Sequence, residues 1–194
     1  MSAIPKNKRD AILNAALNQL AENGFHSSPV SRLATLAGVS VGTIYRYFKD
    51  KDAVIHAVYE KVDEALSKEL VKNLASTGSE KLQYIQLVTN LIDYLNSHPK
   101  EFKFLEQYYS SPYGIEKKHA KFLREGKADQ ENPFMEFFSG SQPGVIKKLP
   151  LPLYLAITFG PITFLLRDAL SGLVTLDDTL IQQTAEASWN AIKA

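Results

Sequence analysis

The chain has 194 residues, with 22 Lys and Arg against 21 Asp and Glu for a net charge of +1, which allows one or two small domains and excludes a large multidomain enzyme. Hydrophobic residues make up 45% and charged residues 22%, so enough apolar surface is available to build a core, and disorder throughout is excluded. The absence of cysteine removes disulfides, thiolate nucleophiles, iron–sulfur clusters and cysteine-based zinc sites, and a reducing cytoplasm is the plain reading of it.

The first ten residues are polar and basic and run into an amphipathic segment with no apolar stretch or small-residue cleavage site, so no signal peptide is expected. Ile12, Leu13, Ala16, Leu20 and Phe25 recur at helical spacing and Gly24 supplies a C-cap, predicting a first helix over about 6–23. Ser28-Pro29 places a capping hydroxyl before a proline at the first helical position and opens a short second helix, with Val30, Leu33, Ala34 and Ala37 inward and Gly38 at its end. Ser40 caps a third helix over Val41 to Phe48. Asp50-Lys51-Asp52 begins a long fourth one carrying Ala53, Val54, Ala57, Val58, Val62, Leu66 and Leu70.

After a break at Ser76–Ser79, the spacing of Leu82, Ile85, Val88, Leu91, Ile92 and Leu95 predicts a helix stopped by His98-Pro99. Segments 100–110, about 116–126 and 133–139 also have helical patterning, 140–152 is a connection broken by Gly and Pro, and 153–171 and 178–193 are two apolar helices. No alternating pattern bounded by turns occurs, so the expected class is all-α. Leu149 to Leu166 runs uncharged for 18 residues between Lys148 and Arg167, at the lower edge of a bilayer span. Pro150, Pro152, Thr158, Gly160, Pro161 and Thr163 within it favour a helix buried in protein, kinked at Gly160-Pro161, and no membrane partner is expected.

The near-zero total charge conceals an asymmetry. Residues 1–51 hold seven bases and three acids, a net +4, whereas the remainder holds 15 bases and 18 acids, a net −3. A basic end on an acidic body suits a chain that meets a polyanion at one end only. Within that end, Ala34, Gly38 and Ile44 carry the spacing of a helix-turn-helix. Alanine admits close approach of two helices, glycine supplies the positive φ of a tight turn, and isoleucine locks the second helix to the core.

Two rival readings are weaker. Gly38-Val39-Ser40-Val41-Gly42 fits the Gly-x-Ser-x-Gly elbow of α/β-hydrolases, but that elbow needs a preceding strand in a parallel sheet, and a capped helix precedes it here. The four histidines are dispersed, and His56 with Glu60 is a one-turn pair common on any helix, so neither catalytic residues, a metal site nor a cofactor is assigned.

Gly24-Phe25, Ser28 through Ala34, and Ala37 through Lys51 together resemble the N-terminal DNA-binding domain of TetR/AcrR transcriptional repressors over about 50 contiguous residues. The resemblance implies an all-helical homodimer with a three-helix helix-turn-helix domain over 1–51, a linking fourth helix over 52–77 and an effector-binding and dimerisation domain over 78–194. It implies as partners a double-stranded DNA operator and a small-molecule effector, with no catalysis.

Carried onto this chain, Ser28 lies at the start of the second helix, where hydroxyl and free N–H groups suit a phosphate, and Arg32 projects from the same helix toward the duplex. Ser40, Val41, Gly42, Thr43 and Tyr45 occupy the start of the recognition helix, the part that enters the major groove, while Tyr47 and Lys51 anchor the backbone. Val41 departs from the family, which often carries Lys or Arg there. The departure removes a phosphate or guanine contact and leaves a group able to touch a thymine methyl.

The aromatic-rich C-terminal region suits an apolar or amphipathic effector. The candidate lining residues are Phe102, Leu105, Tyr108, Tyr109, Phe122, Phe137 and Phe159, although such stripes also form plain core. The expected function is that of a cytoplasmic, ligand-responsive repressor. A DNA-binding partner protein of the same fold, without effector control, is the alternative.

Overall fold

The computed structural model describes residues 7–74, 78–115 and 132–194. Among them the helices are α1 Lys8–Asn23, α2 Val30–Ala37, α3 Val41–Tyr47, α4 Lys51–Leu70, α5 Glu80–Ser97, α6 Pro99–Tyr109, α7 Pro133–Gly140, α8 Leu151–Leu170 and α9 Asp178–Ile192. A further helical turn spans 112–115, and no strand occurs among the described residues apart from isolated bridges that tie Ile146 to Pro143 and to Lys193. The segment expected as a helix over about 116–126, and with it Phe122, lies outside the described residues.

Short polar side chains fix where the helices begin. Asn7, Ser40, Ser79, Asn132 and Asp177 each accept a hydrogen bond from a backbone N–H two or three residues on, at the caps of α1, α3, α5, α7 and α9. Asp50 does the same at α4, accepting from the Ala53 N–H at 2.8 Å. Gly24 (φ 74°) and Gly38 (φ 65°) close α1 and α2 in the positive-φ region that a side chain resists.

One cap differs from expectation. Pro29, not Ser28, stands at the N-cap of α2, and no side chain caps that end. The Ser28 hydroxyl donates instead to the Gly24 carbonyl at 2.6 Å, with the Gln19 carbonyl at 3.4 Å, because the side chain is buried against the end of α1.

Packing divides the chain into two compact units that cut across the serial order 1–51, 52–77 and 78–194. The first holds the described residues up to Glu64 and those from Pro99 to 115; the second holds Ala65–His98 and the described residues from 132 onward. The division falls inside α4.

In the first unit α6 packs on α1, which is why a segment so far along the chain joins the N-terminal helices. Phe25 meets Phe104 and Tyr113, each at 5.8 Å between ring centroids, Gln107 donates to the Ala21 carbonyl, and Lys100 donates to Asn18. Tyr59 stacks on Tyr108 at 4.2 Å.

In the second unit α5 packs on α8 and α9. Tyr154, Thr158, Ile162 and Leu166 form the buried stripe of α8, four residues apart, and Ile181, Ala185, Trp189 and Ile192 that of α9. At the centre the Tyr84 hydroxyl meets Thr158 Oγ1 at 2.8 Å and Ser188 Oγ at 2.5 Å, a closed polar group inside an apolar core.

Candidate nucleic-acid interface

The interface is built on α2 and α3. Ala34, 5% exposed, allows the two helices to approach, and Leu33, Ile44 and Phe48 are buried beneath them. Gly38 turns the chain in the left-handed region, its N–H and that of Val39 returning to the Thr35 and Ala34 carbonyls. Gln19, buried in α1, donates to the Pro29 carbonyl and holds the start of α2. The pair is therefore fixed from both sides.

What α3 leaves outward is mostly apolar. Val41 is 39% exposed and Tyr45 51%; four residues apart, they share one face of the helix. Gly42 lies exposed between them, and a Cβ there would meet only Ser40 Oγ at 3.9 Å, ordinary contact. Nothing within the described residues requires glycine at this position, although glycine weakens a helix by about 1 kcal/mol relative to alanine. The Ser40 and Thr43 hydroxyls lie 2.9 Å apart, and Ser40 Oγ also accepts the Thr43 N–H.

Cations surround this face. Arg32 on α2 is exposed and makes no ion pair among the described residues, and the Arg46 guanidinium lies 6.0 Å from the centre of the Tyr47 ring. Lys51 Nζ donates to the Phe25 carbonyl at 2.5 Å, leaving two further N–H donors on the ammonium. The positions read from the sequence thus fall into two groups. Arg32, Val41, Gly42, Tyr45 and Tyr47 are exposed, whereas Ser28 is buried and Lys51 half-buried with its carbonyl partner. Ser40 is exposed and Thr43 half-buried.

With this geometry in place, known proteins can be compared. The family model described as "Bacterial regulatory proteins, tetR family" matches residues 12–58, and that described as "Tetracyclin repressor-like, C-terminal domain" matches residues 80–193. This chain belongs to the TetR family. Members are DNA-binding transcriptional regulators, and α2 and α3 lie wholly within the N-terminal match.

Among curated relatives, the fatty acid metabolism regulator protein of Bacillus subtilis is 42% identical over 77 residues, covering 38% of this chain and 39% of that protein. An uncharacterized HTH-type transcriptional regulator of Haemophilus influenzae is 31% identical over 103 residues, 53% of this chain and 55% of that one. The matches therefore span between about four-tenths and about half of these relatives' length.

Solved structures match over nearly the whole chain. A TetR family regulator from Marinobacter aquaeolei superposes with a TM-score of 0.82 at 23% identity, covering 96% of this chain and 95% of that one. A putative TetR family regulator from Vibrio parahaemolyticus gives 0.73 at 30% identity, covering 97% and 100%. The FadR regulator of Bacillus subtilis in complex with stearoyl-CoA gives 0.63 at 18% identity, covering 93% and 95%, which is a likeness of fold.

The aromatic candidates of the TetR C-terminal region separate between the two units. Phe102, Leu105 and Tyr108 are buried on α6 in the first unit, and Tyr109 lies at its margin with its hydroxyl 3.1 Å from that of Tyr59. Phe137 and Phe159 are half-buried in the second, 5.4 Å from the Tyr84 ring and 5.1 Å from the Phe134 ring respectively.

Three tyrosines have altered acidity. Burial raises the pKa of Tyr59, with Tyr109 and Asp63 adding to the effect, and burial raises that of Tyr84 against the opposing pull of its Ser188 and Thr158 hydrogen bonds. Tyr113, donating to Asp52 Oδ1 at 2.6 Å, is pushed up to about 12. Sequence reading did not pair Phe25 with Phe104 and Tyr113, Asp52 with Tyr113, or Tyr84 with Ser188, because these partners stand 61 to 104 residues apart.

The outer side of the second unit has a different character. Only 22% of the most apolar 18-residue window of α8 is buried, and Leu153 and Phe164 stand exposed, Phe164 at 63%. Between α8 and α9 runs an open groove of about 460 Å³ walled by Ala156, Ile157, Pro161, Leu165, Ala187 and Ala191. Within a single chain this helix is therefore buried along one stripe. Its opposite side is apolar and open, as Leu153, Ile157, Pro161 and Phe164 follow one another at helical spacing on it.

Proposed function

We propose that this TetR family protein is a homodimeric repressor that binds a palindromic operator and leaves it when a small hydrophobic or amphipathic effector binds the C-terminal part. It would work in the bacterial cytoplasm, where its DNA is. The observation that carries the reading is the rigid α2–α3 pair, whose outward face includes a glycine with no internal need. A surface that gives up helix stability to keep its backbone bare suits close approach to a partner.

Pairing of two copies is supported by the open apolar side of α8 and the small residues along α9, which allow helices to pack closely. A two-fold pair places two α3 helices in successive major grooves roughly 34 Å apart. An effector acts only by binding the operator-competent and incompetent geometries unequally.

An effector with an apolar part is supported by the aromatic side chains and by the relatives: one is a fatty acid metabolism regulator and one structural neighbour holds stearoyl-CoA. Phe102, Leu105, Tyr108 and Tyr109 of the first unit, and separately Phe137 and Phe159 of the second, are the candidates for effector contact.

The test is selection from a random DNA pool with protein whose mass in solution has been measured. Recovery of an inverted repeat by a dimer, with release by acyl-CoA or another amphipathic compound, is the expected result. A folded dimer that retains no preferred sequence would refute operator binding, and a retained operator that no amphipath releases would favour the partner-protein alternative.

A further inference from the structure

The side chains that α3 can offer to a base are few, and their inventory is informative. The major groove identifies adenine through a bidentate amide and guanine through a bidentate arginine or lysine, whereas thymine presents an apolar C5-methyl group. Helix α3 carries neither Asn nor Gln, and its one basic residue, Arg46, lies on the second turn with its guanidinium over the Tyr47 ring. Ser40 and Thr43, the hydroxyls flanking the first turn, are hydrogen-bonded to each other, which occupies one of their two donors, and Ser40 Oγ also accepts the Thr43 N–H. On the first turn the outward apolar group is Val41, which with Tyr45 flanks a bare Gly42, while the exposed Tyr47 lies a turn further on at the end of the helix.

We infer that Val41 is the specificity-determining residue of α3 and that it selects thymine in each half-site by packing its methyl groups on the C5-methyl. Gly42 allows the approach this requires, because a short branched side chain reaches a base edge only when the helix backbone lies deep in the groove. The inference rests on the operator-binding reading.

The experiment uses the operator recovered from the random pool and replaces its thymines one at a time by uracil, which removes the methyl group and leaves every hydrogen-bonding atom in place. Burial of one methyl corresponds to about a fourfold loss of affinity at the affected half-site. Wild-type protein should show that loss at one thymine or more per half-site, and Val41→Ala, which leaves a single methyl, should lessen the sensitivity to uracil there while keeping its fold, since Val41 is exposed. Gly42→Ala, which strengthens the helix, should weaken binding to the same operator.

An operator bound equally well with uracil at every position would overturn the inference and leave operator binding intact. Uracil sensitivity unchanged in Val41→Ala would also overturn it. Failure to recover any operator would overturn the inference together with the function on which it rests.

Discussion

Replacing Lys51 by methionine separates two roles that its position permits. Its ammonium donates to the Phe25 carbonyl, tying the start of α4 to the loop that follows α1, and still has two N–H donors for a phosphate. If those donors meet DNA, a dimer brings two such contacts. Each phosphate contact contributes about 0.9 to the slope of log affinity against log salt, so Lys51→Met should reduce the magnitude of that slope by about 1.8.

Between about 50 and 200 mM salt, the difference amounts to roughly tenfold in how much affinity salt removes. Methionine keeps the aliphatic stem, and loss of the carbonyl bond should lower stability by only about 1 kcal/mol because Lys51 is half exposed. Fluorescence anisotropy with operator and with unrelated duplex, each at several salt concentrations, reads both quantities. The phosphate role predicts a similar loss on both duplexes and a shallower slope. An unchanged slope with weaker binding at every salt concentration would refute it and assign Lys51 to holding the loop.

Tyr84→Phe removes the hydroxyl that joins Thr158 and Ser188 in the second core, and two buried partners lose one bond each, so stability should fall by about 2 kcal/mol, or about 4–8 °C in Tm. Adding Thr158→Val and Ser188→Ala should recover part of the loss; a triple variant less stable than the single one would show that the hydroxyls are satisfied elsewhere. At alkaline pH the buried Tyr59 and Tyr84 hold protons that the unfolded chain loses near pH 10, so the unfolded state binds fewer protons and stability falls as pH rises. The fall begins near pH 10 and reaches about 1.4 kcal/mol per pH unit for each such tyrosine. Tyrosinate absorbance of the folded protein should show Tyr113 ionising at about 12, and Tyr59 and Tyr84 ionising at higher pH than in the unfolded chain. The same alkaline titration curve for folded and for urea-unfolded protein would contradict this.

Much of this architecture was legible in residue order because it depends on local rules. A helix start needs a short acceptor followed by an amphipathic run, and a helix-turn-helix needs a small residue, a glycine and an apolar anchor within about three turns. Ser40, Asp50 and Ser79 cap where their type and position require, and Gly24 and Gly38 adopt positive φ as a closing glycine does. The order of helices and the recognition segment followed from these residues alone.

Ser28 shows where local rules stop. Its sequence context is that of a cap, but burial against α1 offered its hydroxyl two carbonyls, and no side chain caps the start of α2. The same holds for Lys51 and Phe25, for Tyr113 and Asp52, and for Tyr84 with Thr158 and Ser188, pairs with no shared sequence signal. The aromatic residues were visible as a class; their division between two separate cores was not, because α6 leaves its chain neighbours to pack on α1. Residue order determined which groups could form a recognition helix, and that its first turn carries no amide or basic side chain. Tertiary structure alone decided which hydroxyls and cations remain free to meet DNA, because a hydrogen bond formed with a distant partner removes a donor that the sequence still displays.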